Sequence, residues 1–525
     1  MNRAPIALGA LLAFACGSAS EDTHAPPAAQ TLLAPALRRL SVAELELAAG
    51  NVLGAPIALR DSLPPDARQA DFSRNIAQSV DSLTLRQLYD ATRRASESAT
   101  LPTPSCAALA LPNDENCKTE LISALATLAF RRAPSREELA RLQPLFDEGA
   151  ENGTFRDGAA LVLRALLASP QLLYEASLGE GATQQGAVPL GQNELASALS
   201  FLISGAPPDD ALLSAAAASQ LTNGTERYAQ AVRLLSRAET MAQFQRFVEE
   251  WLGLVQLPQL AKSNTVAADF GPLSRALQVE TRSFVADVMA AQAGSLQALF
   301  AGGYSFVPDE VAPLYGIQPV TAGTRVSLRE FGRVGILQHG SFLSVFAHEA
   351  ESAPVLRGKA VLTRVLCRKI PAPQELGIDL MFPAPDPNAT TRSRFERHAV
   401  DPQCKSCHAQ LDPVGFTFEN FDAVGRRRST DAGLPVDTRG SITLNGSSLE
   451  FKDSAELSQA IAESEELRNC AARQVVRFAS GRVDERAETA FVAEVATLPF
   501  TWRASLLGLF LSYVKSDGFA WRVSP

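Results

Sequence analysis

The chain has 525 residues, of which 46% are hydrophobic and 20% are charged, so several domains can each bury an apolar core. Its 48 basic residues are outnumbered by 57 acidic residues, which gives a formal net charge of -9. This balance argues against a nucleic-acid partner, because no dominant positive field exists to collect phosphate groups.

The first residues are typical of an export signal. A basic start at Arg3 is followed by an apolar segment at 6–14 and by small residues before Cys16. A cysteine at a cleavage site, followed by a polar tether at 17–35, resembles a bacterial lipoprotein signal. We therefore expect an exported protein, periplasmic or associated with the outer membrane, that is anchored to a membrane by a lipid on Cys16. Plain cleavage without lipid is the alternative.

Helical periodicity dominates the residues that follow. Ser41 and Glu44 form a capping box for a helix that Gly50-Asn51 is expected to end, and Ser135 with Glu138 forms another. Amphipathic helices are also predicted at 83–96, 120–130, 155–168, 192–204, 212–219, 227–236, 240–254 and 273–291.

An aromatic stripe lies on one face of the predicted helix 240–254. Phe244, Phe247 and Trp251 share that face, and such a stripe is more often a core face than a cofactor site. We therefore expect these side chains to be buried.

The sequence changes character from about Thr324. A short extended segment is predicted at 325–329, a Pro-rich arm at 370–387 and a helix at 393–398. The Asn445-Gly446 pair predicts a small β-hairpin, and helices are expected at 454–464, 466–478 and 503–513. The predicted fold class is mainly α: a multi-domain helical scaffold with a small β-hairpin near the C-terminus.

Cys404, Cys407 and His408 form the pattern C-x-x-C-H, which attaches a c-type haem. Positions i, i+3 and i+4 share one helix face, so two thiols can meet the haem vinyl groups while the imidazole binds iron. With 7 Cys and 5 His in the chain, a chance match has a probability of roughly one in a thousand. A disulfide or half of a zinc site are the alternatives, but no second C-x-x-C or H-x3-5-H is present.

The ligand on the opposite side of the iron is not evident, because no Met or His follows His408. Met381 and His398 are the main candidates, and His339, His348 or an open position are the others. Two strong ligands would make an electron-transfer centre, whereas an open position would admit peroxide, oxygen or substrate.

Charged residues near the motif have two interpretations. Asp412, at i+4 from His408, could accept the imidazole Nδ1–H and raise ligand basicity, or could with Pro413 simply end the motif helix. The basic run 426–428 could pair with haem propionates or form a solvated turn. In both cases the structural interpretation is the simpler expectation.

The remaining cysteines suit an oxidising compartment, in which disulfides persist. Apart from Cys16 and the two motif cysteines, the chain has Cys106, Cys117, Cys367 and Cys470. We expect the bridges Cys106–Cys117 and Cys367–Cys470; other pairings and buried free thiols are the alternatives.

Several segments resemble one family. They include LDPVGFTFENFDAVG at 411–425, FGRVGIL at 331–337, SAPVLRG at 352–358 and LLASPQLLY at 166–174. These segments resemble large secreted, cytochrome-c-like bacterial proteins built from consecutive domains of unknown function, numbered in the fifteen-eighties and nineties. The resemblance extends over nearly the whole mature chain. It implies this architecture and the haem motif, and it implies no substrate.

We therefore expect an export signal at 1–16, the tether at 17–35, helical domains at 36–104, 105–182 and 188–318, a haem-motif domain at 324–432, and a hairpin with a helical domain at 440–523. The expected function is binding of one covalent haem c for electron transfer to an unknown redox partner protein. The alternatives are a haem enzyme of peroxidase or oxygenase type and an interaction scaffold with structural haem.

Overall fold

The computed structural model describes residues 27–97, 99, 115–371, 375, 386–398 and 402–524. Helices and strands are numbered here in chain order. The first are β1 (Ala36–Arg39), α1 (Val42–Leu53), α2 (Ser82–Glu97), α3 (Glu115–Phe130), α4 (Arg136–Ala150), α5 (Phe155–Leu167), α6 (Pro170–Leu173), β2 (Tyr174–Ser177), β3 (Ala187–Pro189), α7 (Gln192–Ile203), α8 (Asp210–Ala217), α9 (Gly224–Leu234), α10 (Thr240–Trp251), α11 (Phe270–Gln292) and α12 (Leu296–Ala301). The remainder are β4 (Tyr304–Ser305), α13 (Ala312–Tyr315), β5 (Val326–Ser327), α14 (Gly340–Val345), α15 (Pro354–Ala360), α16 (Thr391–His398), α17 (Pro402–Gly415), β6 (Thr430–Asp431), β7 (Leu434–Pro435), β8 (Gly440–Leu444), β9 (Ser447–Phe451), α18 (Ser454–Glu463), α19 (Glu465–Ser480), α20 (Glu485–Ala496), α21 (Phe500–Arg503), α22 (Leu506–Lys515), α23 (Asp517–Ala520) and β10 (Trp521–Val523).

The predicted fold class is confirmed. Helices dominate, and the strands of the described residues form short antiparallel pairs: β1 with β2, β3 with β10, β4 with β5, β6 with β7, and β8 with β9. Within the same residues, no helix is both long enough and apolar enough to cross a membrane.

Two compact units make up the chain, and neither is one continuous segment. One contains Phe244–Gln474 and Val492–Leu509. The other contains the described parts of Ser18–Gln243, Val475–Phe491 and Phe510–Pro525. The C-x-x-C-H motif belongs to the first unit.

The helix α1 starts where the sequence predicted, but it does not end where the sequence predicted. Ser41 and Glu44 form the predicted capping box, whereas the helix continues past Gly50 and ends at Gly54, which has a φ of 66°. A glycine inside a helix costs only about 1 kcal/mol. Burial of Val52 and Leu53, which the last turn provides, offsets that cost.

The predicted hairpin is present as β8 and β9. Leu444 pairs with Ser447, and Asn445 and Gly446 between them have φ values of 50° and 80°. A type I′ turn requires positive φ at both central residues, and Asn-Gly is its preferred pair. Local sequence is therefore sufficient to set the register of this hairpin.

The aromatic stripe of α10 is buried, as expected. Phe244, Phe247 and Trp251 are at most 1% exposed. The Trp251 ring packs edge-on to Phe300 with centroids 5.7 Å apart, and its Nε1 donates to the Arg364 carbonyl at 2.7 Å. The stripe is core, and its one polar atom has an acceptor.

One predicted disulfide lies within the described residues. Cys367 and Cys470 are joined, with Cα atoms 5.3 Å apart and a sequence separation of 103. A cross-link over such a distance stabilises a fold mainly by restricting the unfolded chain. Cys117 is buried and disulfide-bonded, but its predicted partner Cys106 lies outside the described residues, as does Cys16.

The motif helix α17 crosses α15 at two glycines, one on each helix. A Cβ atom on Gly358 would overlap the carbonyl oxygen of Leu411, and a Cβ atom on Gly415 would overlap that of Pro354. The two backbones can approach this closely only because neither position carries a side chain. The crossing therefore sets where the motif helix lies on the rest of its unit.

Arg357 of α15 holds the chain that follows α17. Its side chain is fully buried and donates to the carbonyls of Leu343 at 3.2 Å, Phe418 at 3.0 Å, Phe421 at 2.9 Å and Asp422 at 2.6 Å. Burial lowers the pKa of Arg357 to about 10, so the guanidinium remains charged at neutral pH. One buried cation thus satisfies carbonyls from two chain segments.

Replacing Gly415 with Ala is expected to destabilise the protein by about 1–3 kcal/mol, because the added methyl group must push α17 away from Pro354. Thermal unfolding followed by circular dichroism measures the change. Gly271→Ala in α11 is the control, since its Cβ atom would lie 3.4 Å from its nearest neighbour, Asp269 Oδ1. Equal melting temperatures for Gly415→Ala and the wild type would contradict the role of the crossing.

Candidate cofactor site

The C-x-x-C-H motif occupies the first turns of α17. Cys404, Cys407 and His408 stand at positions i, i+3 and i+4 of this helix. Cys407 is a half-buried free thiol, and the His408 side chain is 13% exposed. The backbone therefore provides the helical spacing that haem attachment requires.

Asp412 contacts the motif histidine. The Nδ1 atom of His408 lies 2.9 Å from Oδ1 and 3.0 Å from Oδ2 of Asp412, which is 4% exposed. A carboxylate at this position holds the proton on Nδ1, so that Nε2 is the nitrogen with a lone pair for a metal. The simpler expectation, that Asp412-Pro413 ends the helix, is wrong: α17 continues through Pro413 to Gly415.

A cavity of about 880 Å³ lies beside His408. This volume is within the range of small-molecule and cofactor pockets. The wall around His408 is formed by Lys405, Ala409, Asp412, Pro413 and Phe416. The other walls are formed by Arg392, Glu396, Arg439, Gly440, Ser441, Glu450, Phe451, Lys452 and Glu456.

The cavity combines an apolar part with a charged part. Phe416 and Phe451 are buried and apolar. Arg392 lies over the Phe416 ring, 4.7 Å from its centroid, and donates to the Arg439 carbonyl at 2.6 Å. The side chains of Arg439 and Lys452 are 80% and 85% exposed. Each of these three cations also pairs with a carboxylate: Arg392 with Glu396 at 2.8 Å, Arg439 with Asp437 at 3.0 Å and Lys452 with Glu456 at 3.4 Å. The lining thus offers apolar rings for a flat apolar group and basic side chains for acidic substituents that would compete with these carboxylates.

The basic run 426–428 does not line this cavity. Arg428 pairs instead with Glu419 at 3.0 Å and Asp431 at 2.8 Å, and Arg426 pairs with Asp422 at 3.2 Å. These contacts favour the structural interpretation of the run. The cations of the cavity wall are Arg392, Lys405, Arg439 and Lys452.

No distal ligand is established by the structure. Met381 lies outside the described residues, and His398 is the last residue of α16, with a side chain outside the described part. His348 is exposed, His339 is 1% exposed, and neither lines the cavity. In the described ranges, no group of three or more His, Cys, Asp or Glu residues is arranged to hold a metal ion.

Sequence reasoning missed the walls that the hairpin and α16 contribute. Arg392 precedes the motif by 12 to 16 positions, and Arg439 and Phe451 follow it by more than 30. None of these residues belongs to a recognisable motif or stands at a distinctive spacing along the chain. Only the packing of α16 and of the hairpin against α17 brings them to the cavity.

His339 belongs to a buried polar cluster. Its ring packs edge-on to Phe284 with centroids 4.8 Å apart, and neither ring nitrogen has a hydrogen-bond partner among the described residues. Nearby, the Tyr315 hydroxyl donates to Glu280 Oε2 and accepts from the Gly340 N–H, both at 2.7 Å. Burial lowers the pKa of His339 below its usual value.

His339→Phe is expected to weaken the dependence of stability on pH. Between the lowered pKa and about 6.5, the unfolded chain binds a proton that the folded chain does not. The contribution of His339 to stability is therefore complete above pH ~6.5 and is lost as the pH falls, at about 1.4 kcal/mol per pH unit. Urea unfolding of both proteins from pH 5 to 8 measures this slope. Parallel curves below pH ~6.5 would contradict a neutral buried imidazole.

Comparison with protein families finds four consecutive domains. The matches are PSD3, Protein of unknown function (DUF1587), at 38–100; PSD5, Protein of unknown function (DUF1595), at 117–176; PSD4, Protein of unknown function (DUF1592), at 190–317; and PSCyt3, Protein of unknown function (DUF1588), at 333–431. The last range contains the C-x-x-C-H motif. No curated protein and no solved structure matches the chain.

Proposed function

We propose that this chain, a multi-domain protein of consecutive domains of unknown function, binds one covalent c-type haem and transfers electrons. One observation carries the proposal: the histidine of a C-x-x-C-H helix is held by Asp412 on the wall of an 880 Å³ cavity. The name PSCyt3 of the matching family model also suggests a cytochrome-like character.

Each motif residue has a defined role in the proposal. Cys404 and Cys407 would form the two thioether bonds, and His408 would bind the iron through Nε2. Asp412 would keep the proton on Nδ1 and increase the basicity of the ligand. A bound haem supplies a one-electron iron centre.

The residues of the cavity walls would also contact a bound haem. Phe416 and Phe451 would exclude water from an apolar macrocycle, and the guanidinium groups of Arg392 and Arg439 would offset the charge of two propionates. Because Arg439 and Lys452 are mostly exposed, this side of the cavity is accessible to a partner protein. Electron transfer needs such access.

Export completes the proposal. The N-terminal sequence is typical of an exported lipoprotein with Cys16 as the lipidated residue. The Cys367–Cys470 disulfide is compatible with an oxidising compartment, where c-type haem is attached. The proposed redox partner is another protein, and no motif in the chain identifies it.

The full chain, produced together with the machinery that attaches c-type haem, is expected to gain the mass of one haem and a Soret band that survives denaturation. Cys407→Ser removes one thioether and is expected to shift the haemochrome spectrum. Ser406→Ala, inside the motif but at a position without a role, is the control and should retain both bonds.

An apoprotein mass and no Soret band under these conditions would overturn the proposal. The spectrum of the loaded protein also separates the two haem functions. Low-spin iron that ignores cyanide and peroxide supports electron transfer, whereas high-spin iron that binds them supports a haem enzyme.

Asp412→Asn is expected to raise the reduction potential by on the order of tens of millivolts, because the neutral amide makes His408 a weaker donor to ferric iron. Redox titration measures the shift. Glu456→Gln is the matched control, since it removes one carboxylate from the cavity wall that is paired with Lys452. If the reduction potential of Asp412→Asn shifts no more than that of Glu456→Gln, Asp412 does not have the role proposed for it.

A further inference from the structure

The unit that does not contain the C-x-x-C-H motif has a small cavity of about 20 Å³. Arg38, Glu175, Arg482 and Arg522 are among the residues that line it. A space of this size holds one water-sized species.

Four separate parts of this unit meet at the cavity. Arg38 comes from β1, Glu175 from β2, Arg482 from the chain after α19, and Arg522 from β10. Arg522 pairs with Val188 in the β3–β10 sheet. A species bound here would therefore hold together segments that are far apart in sequence.

Two buried donors at the cavity have no acceptor. Arg522 is 7% exposed, and its Nη1 donates to the carbonyls of Trp521 at 2.8 Å, Phe519 at 3.2 Å and Gly518 at 3.3 Å. Its Nε is buried and has no hydrogen-bond partner in the described part of the chain, and the same holds for Nε of Arg482. Nε of Arg357 and of several other arginines also lacks a partner in the described residues, so the two Nε atoms indicate a ligand site only together with the cavity that their residues line.

The lining also carries excess positive charge. Three guanidinium groups face one carboxylate, that of Glu175. Glu175 already accepts from Arg38, and from Arg74 at 3.0 Å. Arg38 and Arg74 share a second carboxylate, Glu44, at 2.7 Å and 3.0 Å. Arg482 is attracted by Asp484 and Arg522 by Glu194, but neither of these carboxylates lines the cavity.

We propose that this cavity binds one monovalent anion of halide size, such as chloride. A halide is an acceptor without donors, so it matches the two Nε–H groups, and its charge offsets the buried guanidinium groups. Burial lowers the pKa of Arg522 and that of Arg482, as expected for cations whose charge is not fully compensated by the protein. A water molecule fits by size but brings no charge.

Crystals of the full chain grown in sodium bromide test the site directly. The expected result is an anomalous bromide peak in the cavity, within contact distance of Arg522 and Arg482. A light-atom peak without anomalous signal would identify the occupant as water, and an empty cavity would show that nothing is bound. Either result overturns the proposal.

Solution stability gives an independent test. Urea unfolding is measured at constant ionic strength with sodium gluconate replaced stepwise by sodium chloride, because guanidinium chloride would itself supply the ion. Above the dissociation constant, each tenfold rise in chloride is expected to lower the unfolding equilibrium constant about tenfold. Identical curves in gluconate and in chloride would overturn the proposal.

Matched variants assign the effect to the cavity. Arg522→Gln is expected to abolish the chloride dependence, whereas Arg60→Gln removes the same charge from a side chain that is 69% exposed and should preserve it. If Arg522→Gln does not fold, Arg482→Gln replaces it. Full chloride dependence in either cavity variant contradicts the proposed site.

Discussion

The close crossing of α15 and α17 is the constraint on which the candidate site depends. Gly358 and Gly415 let the two helices approach until backbone meets backbone, and no other residue type fits at either position without moving one helix. The crossing fixes the helix that carries the motif. Arg357 on α15 then holds the segment after α17 through four carbonyls, so the same short helix positions the motif from both sides.

Buried arginines connect separate chain segments in both units, but the surroundings of their guanidinium groups differ. Arg357 lies among carbonyls from two segments, and its Nη atoms are fully used. Arg522 also donates to carbonyls and, like Arg357, has an Nε without a hydrogen-bond partner in the described residues, but it lines a cavity together with Arg38 and Arg482. Arg357 is therefore interpreted as structural because it lies among backbone carbonyls, whereas Arg522 belongs to the proposed anion site because it lines a cavity beside other guanidinium groups.

Local patterns predicted those features that depend on neighbours in sequence. The capping box of Ser41, the Asn445-Gly446 hairpin and the buried face of Trp251 agree with the structure, because turn geometry and helical period act over a few residues. The end of α1 was predicted wrongly at Gly50. There, the burial of Val52 and Leu53 outweighs the weak helix propensity of glycine, and burial is a tertiary effect.

The sequence by itself determined the mainly helical class and the C-x-x-C-H spacing, because residue type and local period carry that information. It offered Cys367–Cys470 as one of several pairings, and the structure selected it. The i, i+4 spacing offered the contact between Asp412 and His408 as one of two interpretations, and the structure shows that contact. Only the tertiary structure decided that hairpin residues form a wall of the cavity and that His339 is buried away from it. These outcomes depend on how helices cross and on which segments meet, and no spacing along the chain encodes a contact between residues that only packing brings together.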